Sequence, residues 1–153
     1  MNRFLIILSI AALAGCPTVA EEDPAQEACD AQAAGGTAIT ASDVMDGPEL
    51  EFEVGYEVTL VDGAAGYVHI DVAEDTEGIL WGATDGVVTG LFLDGAEQTL
   101  PTAAPSELCP DTITAHYEID MEPGLWTIQV GPAAVASDFL MLTGGEGHGH
   151  EHE

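Results

Sequence analysis

Beyond residue 50, apolar and polar residues alternate with a period of two along much of the chain. Phe52 and Val54 alternate with Glu51 and Glu53, and Tyr56, Val58 and Leu60 alternate with Glu57 and Thr59. Val68, Ile70 and Val72 share one parity against Tyr67, His69 and Asp71. Ile113, Ala115, Tyr117 and Ile119 do the same against Thr112, Thr114, His116 and Glu118, and Trp126, Ile128 and Val130 share a face within residues 125–130. Successive side chains of an extended strand point to opposite faces, so each run predicts a half-buried β-strand. Residues 139–142 supply a last apolar run. Asp62-Gly63, Glu77-Gly78, Asp85-Gly86, Asp94-Gly95 and Pro123-Gly124 read as turns between these runs. After the first fifteen residues, no window of a dozen carries a helical period. Many short strands with Gly-rich turns predict an all-β fold, a single antiparallel β-sandwich that is jelly-roll-like.

The N-terminus follows a different pattern. Asn2 and Arg3 precede an apolar run of about ten residues, too short for the roughly twenty that cross a membrane, and small residues follow it. The run closes on Leu13-Ala14-Gly15-Cys16. This motif resembles the lipobox of bacterial lipoproteins, in which signal peptidase II cuts before the cysteine and the thiol carries diacylglycerol. The resemblance implies lipidation at Cys16, a mature chain beginning there, and a cell-envelope location facing the periplasm or exterior. Pro17, where an aspartate would mark inner-membrane retention, favours the outer membrane. An ordinary secretory cleavage near Ala12-Leu13-Ala14 is the alternative, and it leaves Cys16 without a use. The organisation expected is a signal peptide over 1–15, a lipidated N-terminus and flexible spacer over 16–36, a β-sandwich domain over 37–143, and a flexible Gly/His/Glu-rich tail over 144–153.

Charge narrows the function further. Arg3 is the only Lys or Arg among 153 residues, so the mature chain keeps all 28 carboxylates and no Lys or Arg. Nucleic-acid binding needs cations to neutralise phosphate, and this composition excludes it. Phosphate clamps and Schiff-base chemistry lose their residues in the same way. Partners should be neutral or cationic, or reach the protein through divalent metals, and no sequence feature names a protein or glycan partner. An acidic surface repels copies of itself and predicts a monomer, whether for solubility or for a salty exterior. With 46% hydrophobic residues, the chain can still bury one ordinary core.

Once Cys16 carries lipid, Cys29 and Cys109 remain, the right number for one disulfide in an oxidising compartment. Two free thiols or a Cys/His metal site are the alternatives. His148, His150 and His152 alternate with Gly149 and Glu151 in the tail, and with Glu146, Glu151 and Glu153 they could hold zinc or copper weakly. A solvated tail without a ligand is the competing reading. His69 and His116, with Asp71 and Glu118 two positions on, would form a metal or acid–base cluster only if their strands paired side by side. The Asp-Gly pairs lack the spacing of calcium loops. Ser9, Ser42, Ser106 and Ser137 lack a nucleophile elbow, and no His-Glu-x-x-His helix is present, so no enzyme is expected.

From Thr114 to Thr143 the phrase Glu122-Pro123-Gly124-Leu125-Trp126-Thr127-Ile128-Gln129-Val130 and Gly131-Pro132, set between strands, resembles the C-terminal hairpin of secreted β-sandwich modules. Pre-peptidase C-terminal domains end in a similar way, and the layout is similar to that of small bacterial lipoproteins. The resemblance covers roughly thirty residues and implies a jelly-roll-like accessory module without catalysis. The expected function is a membrane-anchored lipoprotein carrying a non-catalytic binding or structural module. The alternative is a metal-handling lipoprotein that captures divalent cations through its tail.

Overall fold

A computed structural model describes residues 23–144, which form two sheets packed face to face with one helix laid on the outside. In chain order the elements are α1 (Pro24–Ala34), β1 (Thr37–Thr40), β2 (Gly55–Thr59), β3 (Gly66–Val72), β4 (Thr76–Gly82), β5 (Val88–Leu93), β6 (Ala96–Gln98), β7 (Ala115–Met121), β8 (Gly124–Val130) and β9 (Ser137–Gly144). The first sheet has the order β1-β2-β9-β4-β7 and the second β3-β8-β5-β6. β2 pairs with β9, β3 with β8, β4 with β7 and β5 with β6, all antiparallel. That mirror order is what one long hairpin gives when its two arms are rolled up together, which is the jelly roll. β1 is the exception to the antiparallel expectation, since it lies parallel to β2 on the sheet edge. The tip of the rolled hairpin is Asp94-Gly95, a two-residue loop joining Leu93 to Ala96. Both of its residues take positive φ, 50° and 80°, as an Asp-Gly turn between twisted strands requires.

The alternating runs supply the core. Tyr56 and Val58 from β2, Val68, Ile70 and Val72 from β3, Ala115, Tyr117, Ile119 and Met121 from β7, and Trp126, Ile128 and Val130 from β8 all belong to one buried cluster between the sheets. The run at 139–142 is apolar at every position because the first sheet is covered on both sides. Leu140 and Leu142 enter the main core, whereas Phe139 and Met141 join a second cluster with Trp81, Ile113 and Ala28. Residues with alternate side chains in two different cores leave no polar parity to read.

Three expectations need correction. Residues 24–34 are not spacer but helix. Asp23 caps the helix by accepting the Ala25 N–H at 2.9 Å, Pro24 occupies the first turn, and Gly35 closes it at φ 93° with its N–H donating to Ala31 and Gln32. These are strong start and stop signals, but the face the helix presents is made of Ala25, Ala28 and Ala31, too small to give a visible apolar stripe. Residues 52–54 are not strand. Glu53 sits at φ 63° and donates its N–H to the Leu142 carbonyl, while Phe52 and Val54 pack against the core from an irregular segment. Burial produced their alternation without a ladder. Glu77-Gly78 is not a turn but lies inside β4, where a Cβ on Gly78 would come within 2.9 Å of the Met121 sulfur.

Candidate functional site

The outer face of the first sheet is roofed by α1 and by the connection between β6 and β7. Cys29 on α1 and Cys109 in that connection form a disulfide, with Cα atoms 6.1 Å apart across a sequence separation of 80. Ser106, buried beneath them, places its Oγ 3.9 Å from the Cys29 sulfur and 3.7 Å from that of Cys109. The bond ties the helix to a segment that has no regular structure of its own. Together they close over Trp81, Phe139 and Met141.

At the N-terminal end of α1 this roof leaves a cleft of about 290 Å³. Ile79 and Trp81 of β4 and His116 of β7 line its bottom, and Pro24, Ala25 and Leu108 line its sides. Register places Trp81 directly opposite His116, and their rings lie 5.1 Å apart at 33°. The indole of Trp81 is buried, and its N–H donates to Thr143 Oγ1 at 2.8 Å. This bond fixes the ring plane. The Nδ1 of His116 is buried and has no hydrogen-bond partner among the described residues. Three exposed carboxylates, Asp23, Glu107 and Glu118, stand around the mouth. The cleft is therefore apolar and aromatic within and anionic at its entrance.

A second group of interest lies at one end of the core. Asp138 on β9 is 3% exposed, and its Oδ2 accepts the Thr84 N–H at 3.3 Å. Burial pushes its carboxyl up to about 6, with the nearby charge of Glu57 adding to the rise and hydrogen bonds from Thr84 and Phe139 opposing it. Burial also raises the Tyr117 hydroxyl, helped by Asp85 and by Asp138 itself. Ser137, next to Asp138 on β9, donates to Glu57 of β2.

His69 and His116 do not meet. His69 lies on β3, at one edge of the second sheet, and His116 on β7, at the opposite edge of the first. Each has an edge segment bonded to its backbone. The His69 N–H donates to Pro48 at 3.0 Å, and the His116 N–H donates to Ala104 at 2.7 Å. The joint site with Asp71 and Glu118 is thereby ruled out, because β3 pairs with β8 and β7 with β4. Among the described residues no three His, Cys, Asp or Glu side chains converge as a metal-holding group. Cys16 and the tail histidines His148, His150 and His152 lie outside the described residues. The chain matches no known protein-family model and none of the curated proteins with which it was compared.

Sequence reasoning missed Trp81, Leu108, Glu107 and Asp23 as neighbours of His116. The Asp23-Pro24 cap signal would have placed a helix start there. Nothing in the sequence says that this start lies over β4 and β7.

Proposed function

We propose that this chain is a bacterial envelope lipoprotein, anchored to a membrane through Cys16, whose jelly roll is a non-catalytic binding module. The observation that carries this reading is the lipobox Leu13-Ala14-Gly15-Cys16 lying just ahead of the folded chain. α1 starts at Pro24, so only residues 17–23 separate the lipobox cysteine from the folded chain. Seven residues span at most about 25 Å when fully extended. A mature chain beginning at Cys16 thus holds its sandwich close to the bilayer, and it presents the cleft, lined by Asp23, Pro24 and Ala25, at the tethered end. A diacylglyceryl group with an amide-linked acyl chain exceeds the single chain that gives marginal binding. The separation of His69 from His116 supports a role without acid–base catalysis at that pair.

The test is the chemistry of the mature N-terminus. Mass spectrometry of protein from the membrane fraction should find acylated Cys16 as the first residue, and Cys16→Ser should block processing by signal peptidase II. An unmodified Cys16, or a mature chain beginning elsewhere, overturns the anchor. The metal-handling alternative rests on His148, His150 and His152. It requires zinc or copper binding that disappears on deletion of residues 145–153 and weakens as pH falls through about 6.5, where protons compete for imidazole nitrogen.

A further inference from the structure

We infer that the cleft between α1, β4 and β7 binds a small organic ammonium ion. The inference deepens the binding-module reading and rests on it. Two features converge. The first is shape: a concave space of about 290 Å³ with Ile79, Trp81 and His116 at its base and Leu108, 53% exposed, at its lip. Apolar lining with a few polar groups is the usual make-up of a small-molecule site.

The second is charge. Asp23, Glu107 and Glu118 surround the mouth, and residues 23–144 contain no Lys or Arg to neutralise them. Asp23 spends one oxygen on the Ala25 N–H. The side-chain carboxylates of Glu107 and Glu118 have no hydrogen bond or ion pair among the described residues. An anion is repelled from such an entrance, and a neutral solute gains nothing from it. An alkylammonium ion gains from the carboxylates, and its alkyl groups gain from the apolar walls of Pro24, Ile79 and Leu108.

A bare metal ion does not suit the site as well, because no three ligating side chains converge among the described residues. An organic cation needs no such convergence. Its charge is spread over a surface that apolar walls can cover, and its counter-charges can stay at the rim.

The same chemistry is carried by a free amine and by the ethanolamine headgroup of a lipid. The experiment uses residues 16–153 with Cys16→Ser, secreted behind an unrelated leader so that the disulfide forms and no lipid is attached. A failure of the lipid-anchor reading therefore leaves this test intact. Choline and ethanolamine are titrated by calorimetry and by Trp fluorescence, with dimethylbutanol, the uncharged carbon isostere of choline, as the control. Saturable binding of the cations is expected, with none of the isostere, and with weakening as NaCl is raised. Glu107→Gln with Glu118→Gln should weaken binding about fivefold or more. Both residues are exposed, so the fold is retained, and an unchanged thermal midpoint verifies it.

Vesicles separate the two sources. Capture of phosphatidylethanolamine vesicles, with phosphatidylglycerol vesicles left unbound, assigns the headgroup. Binding of soluble cations alone assigns the free ion. Equal binding of choline and its isostere, or an affinity unaffected by the double substitution, overturns the inference, as does no binding of either cation in either form.

Discussion

Asp138 shows how one residue can set a pH dependence for the whole fold. Its carboxyl titrates at about 6 when folded, above the ordinary 3.8, so the ionised form opposes folding. The cost is fully present above about pH 6, shrinks as pH falls through that value, and is gone below 3.8. Asp138→Asn keeps an oxygen to accept the Thr84 N–H and removes the charge. It should stabilise the protein by about 1–2 kcal/mol near neutral pH and by nothing near pH 3.5. Denaturant titrations at the two pH values check this, and equal gains at both would show that charge is not the cause. Gly47 is a second single-residue constraint. A Cβ there would lie 2.1 Å from the Tyr67 carbonyl oxygen, where the segment before β2 crosses the edge of β3. Gly47→Ala should cost about 2 kcal/mol or more, and an unchanged thermal midpoint would show that the segment can move aside. Neither residue stands out in the sequence. One carboxylate among 28 and one glycine among 18 carry no local mark of burial or close approach.

At the scale of elements, the strands were legible where one face is wet. β3, β7 and β8 follow their alternation closely because their outward positions are polar or part-exposed. β4 and β5 were harder to see. Gly78, Gly82 and Gly90 interrupt their pattern, and the β4 face that looks outward is covered by α1 rather than by water. The helix itself was missed for the matching reason, since it docks through alanines. That docking has little area to sustain it, as alanine buries only one methyl. The Cys29–Cys109 bond must therefore supply much of what holds α1 in place. Cys29→Ser with Cys109→Ser should lower stability by on the order of 4 kcal/mol in the chain-entropy account of a loop this long. Amide exchange should rise over residues 24–34 while the sheets keep their protection. Trp81 fluorescence should shift as its roof loosens. Loss of β-sheet signal together with the helix would instead mean that sandwich and clasp form one cooperative unit. The candidate cleft belongs to this element pair, and it was invisible in sequence because its walls come from four separate segments, near residues 23, 79, 107 and 116.

Over the molecule as a whole, charge and topology dominate. Twenty-eight carboxylates against a single Lys or Arg, Arg3, repel one another more when folded than when unfolded. The thermal midpoint should rise with NaCl, which shortens a Debye length of about 8 Å at 0.15 M, and further with CaCl₂ at equal ionic strength. A midpoint flat from low to molar salt would mean that the charges are too dispersed to affect folding. The composition made this expectation readable directly, whereas the strand order was not readable, because it depends on which distant segments pair. That order also has a temporal consequence. β9, the last strand, lies between β2 and β4, and beyond the β5–β6 tip the two arms of the rolled hairpin meet through pairs far apart in sequence. Contacts of that kind form slowly, because the intervening chain must be ordered before they contribute. A chain synthesised N-terminus first therefore cannot complete its first sheet until Ser137–Gly144 is available. Until then β2 and β4 lack the strand that joins them, and the sheet stays open.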